Sequence, residues 1–191
     1  AVFAELEAVG HKPGGIYRGN KADAYEAGHR VPFIVHWPAG LKAGKVSDTT
    51  ICLTDLFATM ADITGAKVPS NAAEDSVSFL RALKGEQGHV REGTVHHSIN
   101  VSFAIRKGDW KLLLCPGSGG WSDPRPADAK KMNLPPIQLF NLRTDPSEMN
   151  NVYTDNKDKV KELYNLLSTY VANGRSTPGP KQKNEGETPF D

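Results

Sequence analysis

Three short segments with alternating apolar and polar residues constrain the fold of this 191-residue chain more than any other feature. The first two segments span 94–99 and 102–106, and the third, 110–114, follows the turn tripeptide Lys107-Gly108-Asp109. A period of two is typical of half-buried strands, and tight turns join antiparallel neighbours. The pattern therefore predicts an antiparallel meander, to which the apolar run 137–142 adds another strand.

The most regular helical pattern lies near the C-terminus. Asp155 or Asn156 can cap this helix, and Gly174 is placed to end it. We therefore expect a small antiparallel sheet with one helix packed on it. The apolar residues of this helix recur at three- and four-residue spacing, which places them on one face: Val160, Leu163, Tyr164, Leu167, Tyr170 and Val171.

The sequence pattern in the first half of the chain predicts strand–helix units instead. A buried strand is expected at 31–37, where the residues are apolar and β-branched. A helix is expected between Thr54, a suitable N-cap, and Gly65, and a second short helix is expected to end at Gly85. The Pro-rich segment 116–136 is expected to be a long irregular loop.

These patterns predict an α/β fold class and three parts. Residues 1–92 are expected to be the last strand–helix units of a large α/β sheet domain. Residues 93–174 are expected to be a small antiparallel sheet subdomain packed by its C-terminal helix. Residues 175–191, rich in Pro, Gly, Lys and Glu, are expected to be a disordered tail.

Composition and charge exclude several classes of protein. The 23 basic and 22 acidic residues give a net charge of +1, which provides no field for nucleic acid or an anionic membrane. No apolar run is long enough to cross a bilayer, and the first residues lack the pattern of a signal peptide. Cys52 and Cys115 are too few for a disulfide scaffold, although one bridge between them stays open.

One loop carries the residue types that bind an anion. Residues 18–32 combine cations, carboxylates, an aromatic ring and glycines at the entry to the expected strand. Lysine offers a compact charge to an anionic oxygen, and glycines allow the backbone to approach a ligand closely. An oxyanion-binding loop is one interpretation. The other is a surface loop stabilised by a pair between Glu26 and Arg30.

Other candidate sites fit known chemistry less well. The chain has no G-x-S-x-G nucleophile elbow, and the Gly-rich segment 115–120 lacks the Gly-Lys-Ser/Thr end of a phosphate-binding loop. His96 and His97 are adjacent in an expected strand and would face opposite sides, which disfavours a metal-ligating pair. A substrate contact by one of them stays open. Asp55 and Asp62 suit a helix cap and an exposed face better than acid–base catalysis.

Five motifs stand in order along residues 11–172. The first motif reads Arg18-Gly19-Asn20-Lys21 and continues with Tyr25-Glu26-Ala27-Gly28-His29-Arg30-Val31-Pro32. The second motif is Thr54-Asp55-Leu56-Phe57-Ala58-Thr59, and the third is Asp75-Ser76-Val77-Ser78-Phe79-Leu80. The fourth motif is Ala104-Ile105-Arg106-Lys107-Gly108-Asp109-Trp110-Lys111-Leu112, and the fifth is Leu139-Phe140-Asn141-Leu142-Arg143-Thr144-Asp145-Pro146-Ser147-Glu148. This order resembles that of the formylglycine-dependent sulfatases, arylsulfatase-like members of the alkaline-phosphatase-like superfamily. The family loop reads R-G-x-K, then E-G-G-x-R-V-P, and Ala27 departs from it.

The resemblance implies the C-terminal portion of an enzyme that hydrolyses sulfate esters. In that family a cysteine of C-x-[PA]-S-R becomes formylglycine, and Ca²⁺ helps to hold the sulfate group. Cys52 and Cys115 do not fit that motif, and the family's Asp-Asn-Gly metal loop would lie before Ala1. The resemblance therefore implies a fragment without nucleophile, metal or activity, whose partner is the missing N-terminal part. By the same resemblance, Ca²⁺ is expected in the whole parent protein. The parent is expected in a periplasmic, secreted or lysosome-like compartment.

The resemblance also assigns roles to four residues. Lys21 matches the lysine that contacts the sulfate group and is the expected catalytic residue. His11 and Arg18 would lie at the pocket rim, and His97 would approach from the smaller sheet, all three toward the organic part of the substrate. No metal ligand is expected in this chain.

Two alternatives stay open at this point. One is a phosphoester or phosphonate hydrolase of the same superfamily. The other is a standalone module that binds sulfated glycans through Lys21, Arg18 and His97 without hydrolysing them. The R-G-x-K loop argues against the first, and the nucleophile motif would decide it. Glycan binding without hydrolysis by a naturally complete 191-residue product would favour the second.

Overall fold

Four short strands form one sheet in the computed structural model, which describes residues 5–6, 8–186 and 188. They are β1 (Thr94–His97), β2 (Phe103–Lys107), β3 (Trp110–Leu113) and β4 (Gln138–Asn141). The strands follow one another across the sheet in chain order, and β3 pairs antiparallel with both β2 and β4. The predicted meander and its additional strand are confirmed.

The register of the sheet assigns each strand residue to one of two faces. Arg106 lies opposite Lys111, and Lys111 lies opposite Phe140. Side chains directly opposite each other in antiparallel strands point to the same side, so these three share a face. Leu112 lies opposite Leu139 on the other face, and both are completely buried. Both sides of the sheet are therefore covered.

The C-terminal helix covers the face of Leu112. This helix, here called α4 (Lys157–Asn173), begins after Asn156 and ends before Gly174, as the sequence predicts. Glu162 of α4 forms an ion pair with Lys107 at 3.1 Å. Lys159 of α4 lies over the ring of Trp110, with its Nζ atom 5.9 Å from the ring centre.

Three further α-helices are described between the N-terminal residues and α4: α1 (Asp55–Thr64), α2 (Leu80–Leu83) and α3 (Pro126–Lys131). The helix predicted after Thr54 is confirmed as α1, and Gly65 follows it with a positive φ of 70°. The second predicted helix is shorter than expected. The prediction of an irregular loop throughout 116–136 is wrong, because α3 lies inside it and starts with a proline, a residue favoured at the first helical position.

The segment 31–37 forms no strand, so that prediction is wrong. Its side chains are largely exposed, with Val31 at 60% and Ile34 at 90% of full exposure. A strand needs a neighbour to accept and donate its backbone hydrogen bonds. Within the described residues no strand pairs with this segment, so its apolar character does not lead to burial.

The helix α1 turns polar residues inward and apolar residues outward. Asp55 and Thr59 are completely buried. Phe57 and Met60 of the helix, in contrast, are 58% and 48% exposed, and Leu53, just before the helix, is 63% exposed. A surface helix normally buries its apolar stripe, so this helix presents an apolar surface that the described residues do not cover.

Asp55 is the polar centre around which the start of α1 is built. Its Oδ2 accepts a hydrogen bond from the Cys52 amide at 2.7 Å, and its Oδ1 accepts one from the Val77 amide at 2.9 Å. The guanidinium of Arg91 forms an ion pair with the same carboxylate and is itself buried. A buried charge is tolerated because partners of this kind replace water.

The chain divides into two compact units. One comprises Ala1–Val31 with Val95–Asn165, and it holds the sheet; the other comprises Pro32–Thr94 with Leu166–Asp191, and it holds α1 and α2. The sequence-based boundaries after residues 92 and 174 stay predictions.

Within the predicted tail, buried Arg175 donates hydrogen bonds to the carbonyls of Ser70 and Pro180 at 2.8 and 3.0 Å. Residues 187 and 189–191 of the tail lie outside the described residues. In the part of the chain that the structure describes, no helix is both long and apolar enough to span a bilayer.

Substituting Asp55→Asn is expected to lower the free energy of unfolding by about 3 kcal/mol, because it leaves the buried Arg91 guanidinium without its charged partner. Asp62→Asn provides the matched control, since Asp62 lies on the exposed side of the same helix, and its effect should stay below about 0.5 kcal/mol. Urea unfolding followed by circular dichroism measures both. Equal effects would contradict the assigned role of Asp55.

Candidate functional site

The loop that carries Lys21 packs on the sheet face of Lys111. We call residues 18–30 the lysine loop. The ring of Tyr25 packs edge-on against Phe140, with ring centres 6.4 Å apart, and its hydroxyl donates a hydrogen bond to Gln138 at 3.1 Å. Burial raises the pKa of Tyr25 to about 12, so the hydroxyl keeps its proton at neutral pH. The loop is therefore fixed on the sheet.

Buried charges provide the strongest attachment of the lysine loop. The Lys111 Nζ atom lies 3.1 Å from Glu26 Oε1 and 2.8 Å from Glu148 Oε1. No side chain of these three is more than 1% exposed. Glu26 also accepts a hydrogen bond from Arg30 Nε at 2.7 Å, and its amide donates to Glu148 Oε2 at 2.6 Å. We call Glu26, Lys111 and Glu148 the buried charge cluster.

Each member of the buried charge cluster comes from a different sequence motif. Glu26 belongs to the first motif, Lys111 to the β2–β3 hairpin motif and Glu148 to the turn after β4. Glu26 and Lys111 are 85 residues apart in the chain. The three motifs therefore share a structural role, which is to fix the lysine loop against the sheet.

The pKa values of the two carboxyl groups in this cluster are shifted in opposite directions. Burial alone raises the pKa of Glu26, but the Lys111 charge and the hydrogen bond from Arg30 outweigh it and lower the pKa to about 2. At Glu148, burial outweighs the attraction of Lys111, and the pKa is raised. Glu26 is therefore the carboxylate that keeps its charge beside Lys111 down to strongly acidic pH.

Two histidines whose rings are in contact, tilted by 38°, complete the surroundings of Lys111. The rings of His29 and His96 lie 3.7 Å apart, centre to centre. Lys111 Nζ lies 3.1 Å from His29 Nε2, and His96 Nε2 lies 3.2 Å from the carbonyl oxygen of Ala24. Burial and the Lys111 charge lower the pKa of His29 to about 4 and that of His96 well below its usual value. Both rings are therefore neutral at pH 7.

Lys21 stands exposed on a turn with a fixed backbone. The Asn20 amide donates a hydrogen bond to Asp23 Oδ2 at 2.7 Å, and the Asp23 amide donates to the Asn20 carbonyl at 3.1 Å. Ala22 adopts a positive φ of 88°, which is unusual for a residue other than glycine and is common at functional sites. Among the described residues, the Lys21 ammonium has no hydrogen-bond or ion-pair partner. A fixed turn with an unpaired cation suits an anionic ligand.

A second loop lies directly against the lysine loop. We call residues 117–122 the tryptophan loop. Asp23 Oδ1 accepts hydrogen bonds from the amides of Trp121 at 2.8 Å and Ser122 at 3.0 Å. A Cβ atom at Gly120 would lie 2.4 Å from a carbonyl oxygen of the lysine loop, so only glycine fits there. The two loops therefore form one rigid surface around Lys21.

Arg18, which the resemblance places at the pocket rim, has structural partners. Its Nη1 donates a hydrogen bond to the Glu148 carbonyl at 2.9 Å, and its guanidinium lies 4.2 Å from the ring centre of Tyr25. No described hydrogen bond or ion pair joins it to Lys21. Its contact with substrate stays a prediction.

The two histidines predicted to contact substrate are both exposed. His11 lies on the surface before the lysine loop, and His97 Nδ1 lies 2.8 Å from the carbonyl of Ser98. His96 faces the lysine loop while His97 faces away from it, as expected for neighbours in a strand. The roles of His11 and His97 stay predictions, because no described hydrogen bond or ion pair brings either to Lys21.

The sequence analysis names the pair between Glu26 and Arg30, which the structure confirms at 2.7 Å, but it missed the other residues that position the loop. Lys111 carries one usable signal, because a lysine between Trp110 and Leu112 in a strand requires a buried partner if both faces of the sheet are covered. Glu148 carries no local signal, because its partner Lys111 lies far away in the chain. Asp23 has a near partner in Asn20, but its contact with Trp121 spans 98 residues and has no local signal.

Among the described residues, no group of three or more His, Cys, Asp or Glu side chains is arranged to hold a metal ion. We therefore derive no step through Ca²⁺, which stays an expectation for the whole parent protein. Burial raises the pKa of Cys115 to about 11 and also raises that of Cys52, so both thiols keep their protons at neutral pH.

Comparisons with known proteins agree on one family. A profile of the Sulfatase family matches residues 5–66, which include the lysine loop and α1. The N-acetylgalactosamine-6-O-sulfatase of Bacteroides thetaiotaomicron is 40% identical over 169 residues, or 84% of this chain and 31% of that protein. Arylsulfatase D of Homo sapiens is 29% identical over 186 residues, or 87% of this chain and 31% of that protein.

A solved structure shows the same likeness in three dimensions. It is a protein from work on the metabolism of multiple glycosaminoglycans by Bacteroides thetaiotaomicron, with a TM-score of 0.72 and 36% identity. The match covers 87% of this chain and 34% of that one. The chain thus spans about a third of the length of these relatives.

Lys111→Met is expected to lower the free energy of unfolding by about 3–5 kcal/mol, because it leaves the Glu26 carboxylate buried without its nearest cation. The control is Lys131→Met, since the pair between Lys131 and Asp128 is exposed and such pairs contribute little. Urea unfolding compares the two variants. A loss for Lys111→Met no larger than that of the control would contradict the anchoring role.

Stability is expected to decrease as the pH is lowered from about 6.5 toward 4. The unfolded chain binds protons at His29 and His96 in this range, whereas the folded chain binds them only near pH 4 or below. Each histidine contributes a slope of about 1.4 kcal/mol per pH unit. The raised pKa of Glu148 acts in the opposite direction and reduces the total.

Comparing variants isolates the histidine contribution to this pH dependence. His29→Asn should reduce the slope of the unfolding free energy against pH by about 1.4 kcal/mol per pH unit, because one fewer proton is bound on unfolding. His89→Asn should leave the slope unchanged, because His89 is exposed. Thermal unfolding at half-unit steps of pH measures both slopes, and an unchanged slope in His29→Asn would show that burial does not hold this ring neutral.

Proposed function

This chain belongs to the sulfatase family, and we propose that the whole protein of which it forms part hydrolyses sulfate esters, with Lys21 in contact with the sulfate group. The observation that carries the proposal is the exposed Lys21 ammonium, which has no partner among the described residues and stands on a turn held by Asp23. This turn lies within the segment that the family profile matches.

Lys21 acts in this proposal as an electrostatic catalyst. Its ammonium has three donors and a compact charge, which suit the oxygens of a sulfate group. Negative charge on those oxygens and on the leaving oxygen is stabilised by a cation that is already in place. The fixed backbone on both sides of Lys21 means that little reorganisation is needed when the substrate binds.

The nucleophile belongs, in this proposal, to the part of the protein outside this chain. Cys52 and Cys115 stand outside the C-x-[PA]-S-R motif. Ca²⁺ and formylglycine would be supplied by the same outer part. The outward-facing side chains of Leu53, Phe57 and Ile34 would be covered there as well, since such an apolar surface rarely stays in water.

The substrate class that we propose is a sulfated amino sugar. Support comes from the relative that is 40% identical, which is named for its action on N-acetylgalactosamine 6-O-sulfate. Arylsulfatase D is less similar, at 29%. A sugar also agrees with the polar groups next to Lys21, because Asn20 Nδ2 and Ser122 Oγ lie 3.3 Å apart between the two loops.

Lys21→Ala in the whole protein is expected to lower kcat for a 6-sulfated amino sugar by about 10²- to 10³-fold, because one pre-positioned donor to the reacting group is lost. Lys45→Ala is the matched control, since Lys45 is also an exposed loop lysine. Release of sulfate measures both. Faster turnover of a phosphate monoester would favour the phosphoester hydrolase, and binding of sulfated glycan without turnover would favour the binding module.

The isolated chain tests whether the nucleophile lies outside it while Lys21 lies within it. The purified 191-residue chain is expected to release no sulfate from an aryl sulfate above the level of its own Lys21→Ala variant. The physical reason is that one lysine offers charge but no nucleophile. Turnover by the chain that depends on Lys21 would contradict the proposed fragment.

A further inference from the structure

A large aromatic side chain next to the lysine loop has no part in the sulfate chemistry. Trp121 is 53% exposed, although tryptophan is highly buried on average. Its backbone, in contrast, is held on both sides: the amide donates a hydrogen bond to Asp23 at 2.8 Å, and the carbonyl accepts one from Arg125 Nε at 3.1 Å. A fixed backbone that presents an exposed indole is a feature of binding surfaces rather than of mobile loops.

One carboxylate sets the positions of Trp121 and Lys21 together. Asp23 Oδ2 accepts the amide of Asn20, the residue before Lys21, and Oδ1 accepts the amide of Trp121. Asp23 is only 2% exposed, so these hydrogen bonds are shielded from water. The backbone beside Lys21 and the backbone of Trp121 are therefore held by the same carboxylate.

The turn between β1 and β2 reaches the same place. The Ile99 amide donates a hydrogen bond to the Ala22 carbonyl at 2.9 Å. Ile99 and Val101 are 55% and 60% exposed, and Val101 adopts a positive φ of 59°, which is rare for a β-branched residue. The tryptophan loop and this turn thus both contact residues 20–23 within one compact unit, and each leaves an apolar side chain exposed near the cationic Lys21.

We propose that Trp121 is the platform on which the sugar ring of the substrate packs while Lys21 binds the sulfate group. This inference rests on the proposed sulfatase function and adds a residue that determines its specificity. A pyranose ring presents a face of C–H groups, and the electron-rich face of an indole complements weakly positive hydrogens.

The surroundings of Trp121 match the rest of such a sugar. Its hydroxyl groups need donors and acceptors, and the side chains of Asn20 and Ser122 lie in the contact between the lysine loop and the tryptophan loop. An indole also loses little conformational freedom on binding, since it has only two side-chain torsions.

The test separates binding of the ring from binding of the sulfate group in the whole protein. Trp121→Ala should raise KM for a 6-sulfated amino sugar about tenfold, with kcat little changed. It should leave the inhibition constant of inorganic sulfate unchanged. Trp121→Phe should keep KM within about threefold, because an aromatic face remains. Lys21→Ala should instead weaken inhibition by sulfate and lower kcat.

Met132→Ala serves as the matched control, because Met132 is a similarly exposed apolar residue of the same unit. The inference is overturned if Trp121→Ala leaves KM for the sugar unchanged while Lys21→Ala abolishes turnover, an outcome in which the sulfatase function stands. It is also overturned if Trp121→Ala weakens inhibition by sulfate as much as it raises KM, since the residue then only supports the loop. Absence of sulfate release from every ester by the unaltered protein would overturn both proposals.

Discussion

A fully buried lysine between two carboxyl groups governs the architecture of this chain. The Lys111 ammonium sits on a sheet face, where transfer from water is costly unless partners surround it. Glu26 and Glu148 provide those partners from segments that are distant in the chain. Strand register, loop position and the turn after β4 therefore have to be correct at the same time. An error in any one of them leaves a charge buried and unpaired, which is the costliest defect that a small core can hold.

The sequence predicts the elements whose signals are local. Alternation over 94–114 and the helical spacing near the C-terminus describe single elements that pack on each other, and the sheet and α4 agree with both. The strand expected at 31–37 does not form, because an apolar run indicates burial without supplying the neighbour that a strand needs. The helix α3 was missed for the opposite reason. Its prolines indicated a loop, although one of them stands where a helix tolerates it.

The candidate site shows the same limit at the level of single residues. Lys21 could be placed from the order of the motifs, because the lysine stands in the motif itself. The surroundings of Lys21 depend on contacts between distant loops. Asp23 and Trp121, for example, are 98 residues apart in the chain. Neither a hydrophobic period nor a motif spacing predicts a contact over that separation in sequence. The position of the tryptophan near the lysine loop is therefore known only from the folded structure.

The buried charge cluster has a consequence for how the sequences of relatives are interpreted. Glu26, Lys111 and Glu148 maintain the fold and lie inside it, whereas Lys21 and Trp121 face outward and leave the core unaffected. A homologue could therefore lose Lys21 and still keep Glu26, Lys111 and Glu148, because folding alone preserves these three residues. If Lys21 binds the sulfate group as proposed, such a protein would be a pseudoenzyme that keeps the buried residues of the family without its chemistry. The identity of residue 21, more than the presence of the three buried residues, would then separate hydrolases from folded descendants that have taken up other roles.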